Sequence, residues 1–213
     1  MQDTKDFGLD HERVALAIKD DAIGMRALYP QQTKGTDESV KNIRHFIGKC
    51  KIKALRTDNS RELGKAANDL GSLHETSTPH RPQSNTRIER DISTMLGGTR
   101  SALQQSGLPV RFWTYAAQHW CHSANTTLPY SSGKPLAELT SDTQTPWEQR
   151  RKEIWNGPSI PFGSLVHFLP PTSKRFKQGK FEPRAIHGLF FGRVFAARAQ
   201  LQTRSFSSTC FRL

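Results

Sequence analysis

The sequence predicts an α/β fold, and three observations carry that prediction. Residues 13–20, RVALAIKD, form an apolar run dense enough for a buried strand. Residues 51–57 read as a second strand that stops at Asp58. Between and after these runs, apolar residues recur at the spacing of amphipathic helices. A chain of 213 residues can bury a core as one domain with an appendage or as two small domains.

The elements follow in order. RVALAIKD leads after a turn-length gap into GMRALYP, residues 24–30, so the pair is expected to form a hairpin. Thr36 reads as a helix cap with Glu38 in the first turn, and Val40, Ile43, Phe46 and Ile47 supply the apolar face. After the strand ending at Thr57, Asn59 and Ser60 favour a turn or cap, and RELGKAANDLG is a short helix closed by Gly71. Asp58 therefore stands at the carboxyl end of a strand, where reactive groups of α/β proteins gather. Its other reading is that Asp58, Asn59 and Ser60 simply cap the helix.

Pro79 and Pro82 push the residues before them toward extended geometry, so TSTPHRPQSN is expected to be a loop as far as Asn85. From there Ile88, Ile92, Met95, Leu96, Thr99 and Leu103 mark a helix that Gly107 and Pro109 end. With Ile88 facing the core, Glu89 lies about 100° round, at the margin of the buried face. In the next helix Trp113, Ala116, Ala117 and Trp120 share a face, which makes both tryptophans core residues. His119, Cys121 and His122 lie close enough to suggest a metal site, but no second cluster offers further ligands, and packing is the expected role. Residues 131–157 have linker composition, and residues 158–213 read as a small basic β-rich segment whose tail, RSFSSTCFRL, has no readable pattern.

Charge divides the chain unevenly. Residues 1–80 carry 13 basic and 12 acidic side chains, whereas 81–213 carry 18 and 7, so nearly all of the +12 net charge lies in the later part. That asymmetry points to a polyanionic partner. The connector TSKRFKQGKFEPR holds Lys174, Arg175, Lys177 and Lys180 among two phenylalanines, a composition suited to phosphate contacts or to a solvated basic hairpin. No apolar run approaches a membrane span, and no signal-peptide core opens the chain, so an intracellular protein that does not contact membranes is expected. The three cysteines are too dispersed for a zinc finger or a disulfide framework.

LRTDN, then TSTPHRPQSNTRIER, then GLPVRFWTYAA resembles the integrase catalytic core of copia-type LTR retrotransposons and of the retroviral integrase superfamily. IPFGSLVHFLPP and KFEPRAIHGLFFGR resemble the segment that follows this core in copia-type polyproteins. The resemblance implies an RNase H-like core over residues 1–130, a mixed sheet flanked by helices. It implies a polynucleotidyl transferase that integrates DNA with Mg²⁺ or Mn²⁺, Asp58 and Glu89 being the second and third metal-binding carboxylates. Gln83, Asn85, Arg87 and Arg90 would contact DNA. Element ends, target DNA, other polyprotein parts and further copies of the chain would be its partners, in the nucleus.

The family's first catalytic aspartate lies on the preceding strand. Asp3 is the candidate that fits, but only Met1 and Gln2 precede it, so the chain is expected to start inside the domain with that strand incomplete. Thirty residues separate Asp58 from Glu89, slightly fewer than the family has, and Thr86 stands where the family commonly places glycine. Two alternatives remain: a degenerate retroelement remnant that binds nucleic acid without catalysis, and an unrelated basic RNA-binding protein.

Overall fold

The computed structural model describes residues 7–57, 60–76, 82–132, 134, 138–140, 142–169, 181, 183–193 and 208–211, with backbone only at 82–87 and 208–211. The expected hairpin is present: β1 (Val14–Lys19) pairs antiparallel with β2 (Arg26–Gln31), Val14 opposite Gln31 and Lys19 opposite Arg26. Asp20 shapes the turn, its Oδ1 accepting from the backbone N–H of Ala22 at 3.0 Å. Gly24 completes it at φ +71°, and a side chain there would also strike the ring of Tyr130.

Helix α1 (Thr36–Ile47) presents Val40 and Ile43 to the core, with Ile47 packed beside them. Gly35, not Thr36, occupies its cap position, and Thr36 is the first helical residue. Strand β3 (Ala54–Thr57), helix α2 (Arg61–Asp69) and strand β4 (Leu73–Thr76) form a parallel β-α-β unit in which Thr57 lies opposite Thr76. Leu16 and Ile18 of β1 and Leu55 of β3 join Val40, Ile43 and Ala66 in one apolar cluster. The two strand pairs thus share one helical layer yet remain separate two-stranded sheets. The α/β class holds, but among the described residues these strands form two separate sheets and not the expected single mixed sheet.

Helix α3 (Pro82–Ser106) starts three residues before Asn85, which corrects the loop expectation. Proline is disfavoured inside a helix but tolerated in its first turn, where the missing N–H has no intrahelical acceptor in any case. Its buried line runs through Met95 and Thr99, while Ile92 and Leu96, expected in the core, are 40% and 44% exposed. After a 3₁₀ turn at Val110–Phe112, helix α4 (Trp113–Thr127) crosses α3 where Gly98 lies against Trp120; a side chain at Gly98 would overlap the indole. Trp113 and Trp120 pack on Leu28, Met95, Ala117 and Cys121, as their shared face predicts.

The linker-like stretch holds a further helix, α5 (Pro146–Arg151). It opens with a capping box, Thr145 Oγ1 accepting from Glu148 N–H and Glu148 accepting from Thr145 N–H. Arg150 donates to the carbonyls of Phe46 and Ile47 at the end of α1 and stacks 5.0 Å from the Phe46 ring centroid. Strands β5 (Leu165–Phe168), β6 (Ile186–Arg193) and β7 (Ser208–Phe211) make an antiparallel sheet in that order. The tail that showed no pattern thus contributes a strand. Phe191 of β6 and Phe162 bury against Ala116 of α4, so this sheet packs on the helical layer.

Candidate active site

Strand β3 ends at Thr57, and Asp58, the next residue, lies outside the described residues together with Asn59. Its immediate support is described. Thr57 is buried, and its hydroxyl lies 2.8 Å from His74 Nε2 on β4. That contact crosses the parallel pair and holds the strand end from which Asp58 departs. Arg56 and Glu75 add a second cross-strand contact at 2.8 Å, but both are about half exposed, and such pairs contribute little.

Glu89 lies in the early turns of α3 and is exposed, with no ion pair or hydrogen bond to a described residue. Its neighbour Asp91 is held: both carboxylate oxygens accept from Lys19 Nζ at 2.8 Å, and the two side chains are 13% and 22% exposed for Lys19 and Asp91. Lys19 also stands 5.4 Å from the ring centroid of Tyr130, whose hydroxyl donates to the carbonyl of Asp21 at 3.0 Å. Thus the end of β1, its turn and Tyr130 together fix α3 at Asp91. Two residues along a helix turn about 200°, so Glu89 points away from that contact.

An exposed carboxylate with no partner among the described residues supplies the hard oxygen donor that Mg²⁺ prefers. Among the described residues no three of His, Cys, Asp and Glu come together, so the described residues alone do not make a metal centre. A set with Glu89 would have to draw on Asp58 and a third group, and Asp58 and Asp3 both lie outside the described residues.

Gln83, Asn85 and Arg87 are described only as backbone positions of α3, and Arg90 is exposed on the same helix. Lys174, Arg175, Lys177 and Lys180 lie outside the described residues. The sequence did not reveal Lys19, His74, Asp91 or Tyr130 as supports of the site. Lys19 and Asp91 are 72 positions apart, and no local pattern records such a pair.

The HWCHS group is used for packing. His119 lies 5.7 and 5.8 Å from the ring centroids of Phe162 and Phe190, and His122 lies 4.8 Å from Trp155 and 6.2 Å from Trp147. Burial lowers the pKa of His119; burial, then the nearby Arg193 and His119, lowers that of His122 to about 4. Burial pushes the Cys121 thiol up to about 12, against a smaller opposing effect of Arg26, so it stays protonated near neutral pH.

No protein-family model matches the chain. A comparison with curated proteins also finds no match. Among solved structures, the chain is similar to the catalytic core domain of BIV integrase at 16% identity and a TM-score of 0.46, over 68% of this chain and 89% of that one. It is also similar to a chain from the simian T-cell lymphotropic virus intasome in complex with the PP2A regulatory subunit B56 gamma. There the identity is 15% and the TM-score 0.45, over 83% of this chain and 66% of that one.

Proposed function

We propose that this chain is an integrase-like polynucleotidyl transferase domain of copia type that acts on DNA, with Asp58 and Glu89 as ligands for Mg²⁺ or Mn²⁺. The observation that carries this reading is the placement of Glu89. It is an exposed carboxylate without a described partner, on a helix anchored one half-turn away by the Lys19–Asp91 pair. The β3-α2-β4 unit supports it: Asp58 follows in sequence the strand that ends at Thr57, whose hydroxyl lies 2.8 Å from His74 Nε2. Bound divalent ions would neutralise the negative oxygens that in-line displacement at phosphorus crowds together. Arg87 and Arg90 on α3 would contact phosphates, Gln83 and Asn85 would orient DNA, and the protein would work as an oligomer on element ends and target DNA in the nucleus.

The first carboxylate is assigned in this reading to an aspartate on a strand lying between β1 and β3. Such a strand would join the two sheets, which already share the apolar cluster of Leu16, Ile18 and Leu55. Asp3 is the candidate within the chain. The test is a strand-transfer assay with Mg²⁺ or Mn²⁺ on this chain and on a version extended upstream by one Asp-bearing strand. Joining of DNA ends by the extended version, abolished by Asp58→Asn and by Glu89→Gln, is the expected result. Robust joining by the unextended chain, abolished by Asp3→Asn, would instead make Asp3 the ligand. Inactivity of both, with the extended version folded, would favour the remnant that binds nucleic acid without catalysis.

A further inference from the structure

The C-terminal sheet carries a pair of histidines that the proposed chemistry does not use. His167 of β5 and His187 of β6 stand directly opposite each other in register, their ring centroids 4.3 Å apart and their planes at 67°. Both are exposed. Directly opposed residues of an antiparallel pair have Cβ atoms about 4.5–5.5 Å apart, close enough for two imidazoles to reach one ion. The neighbouring pair on this face is Leu165 opposite Leu189, so no cation sits at the next position to repel a metal.

We propose that His167 and His187 form a two-imidazole binding site for a borderline first-row divalent ion of the Zn²⁺ class. Imidazole nitrogen suits Zn²⁺, Ni²⁺ and Cu²⁺, whereas Mg²⁺ and Mn²⁺ prefer carboxylate and water oxygens. The site is therefore chemically separate from any ion held by Asp58 and Glu89. The two rings meet edge to face, and because both are exposed, side-chain rotation can turn a nitrogen of each onto one ion. Two ligands leave the remaining positions of a tetrahedral ion to water. β5 is an edge strand of its sheet and only four residues long, so a metal linking it to β6 would hold it in register.

The test uses the full chain with excess Mg²⁺ present, titrated with ZnCl₂ by calorimetry, beside His167→Gln, His187→Gln and a control, His45→Gln. One Zn²⁺ site is expected in the parent and the control. Either of the other variants should weaken it by at least about tenfold, since losing a ligand costs no less than the roughly 10–100-fold lost on disturbing groups around one. In the unaltered chain, substoichiometric Cu²⁺ should broaden the imidazole NMR signals of His167 and His187 before those of the other six histidines. Unchanged Zn²⁺ binding in folded forms of both variants would overturn the proposal. So would broadening that begins at other histidines, a result that needs no variant to fold.

Discussion

Asn125, fully buried in α4, bonds both backbone groups of a single residue, Arg26 of β2. Its Oδ1 accepts from the Arg26 N–H at 2.9 Å, and its Nδ2 donates to the Arg26 carbonyl at 2.7 Å. The amide takes the place of a strand partner on the edge of β2 that β1 does not cover. It also fixes the height of α4 against the hairpin more sharply than apolar packing could, because hydrogen bonds are directional.

Asn125→Ala should therefore destabilise the protein by about 2–3 kcal/mol, by stripping partners from two partly buried backbone groups. Asn125→Asp keeps the acceptor, loses the donor and buries a carboxylate, and should cost at least as much. Urea unfolding measures both, as a lower midpoint with an unchanged slope.

Stability should fall with acidification in a window set by His122. Its folded pKa is about 4, below the ordinary 6.5, so the unfolded chain takes up the proton first as pH drops. The stabilisation is complete above pH 6.5, is lost between about 6.5 and 4, and changes no further below that range. The loss is on the order of 3 kcal/mol. Half-buried His119 shifts in the same direction and adds to it. Unfolding measured at pH 7 and pH 4.5 should show the loss, and His122→Gln should reduce it.

Asp91→Ala leaves Lys19 partly buried without its counter-ion and should cost about 2 kcal/mol or more. Pairing Lys19→Met with Asp91→Leu should recover most of that, since apolar replacement of a poorly exposed ion pair is often neutral. A double-mutant cycle in urea gives the coupling. If Asp91 positions α3 for Glu89, the single variant should also weaken Mg²⁺ binding while the paired variant restores it.

Replacing Lys174, Arg175, Lys177 and Lys180 together by glutamine should flatten the dependence of DNA affinity on salt. Each phosphate contact adds about 0.9 to the slope of log affinity against log salt, so four contacts account for a change of roughly 3–4. Fluorescence anisotropy across a salt series reads the slope directly. An unaltered slope would mean that these side chains touch no phosphate.

Local patterns made much of this fold legible. The run of Val14 to Lys19, the spacing of Val40 and Ile43, and the shared face of Trp113 and Trp120 each record burial within one element. What they could not record was burial settled between elements. Ile92 and Leu96 match the helical period as well as Met95 does, yet α4 covers only the line through Met95 and Thr99. Pro82 reads as a helix breaker in the sequence because its place in the first turn depends on where the helix begins. Helix α5 had a local signature, Thr145 and Glu148 around Pro146, but its linker-like surroundings obscured it. Strand β7 is four residues long and takes its form from pairing with β6. For the site, the carboxylates stood out through motif order, while the residues that hold their elements in place are distant in sequence.

Arg150 has a consequence for the order in which the chain can mature. It covers the carbonyl end of α1 from 103 positions beyond Ile47. During synthesis at about 5–20 residues per second, those carbonyls wait for on the order of 5–20 s before their cation exists. Through that interval the nascent N-terminal layer has an open negative helix end and the uncovered ring of Phe46, both available to a chaperone. Closure of that helix end is thereby timed by the synthesis of the second half.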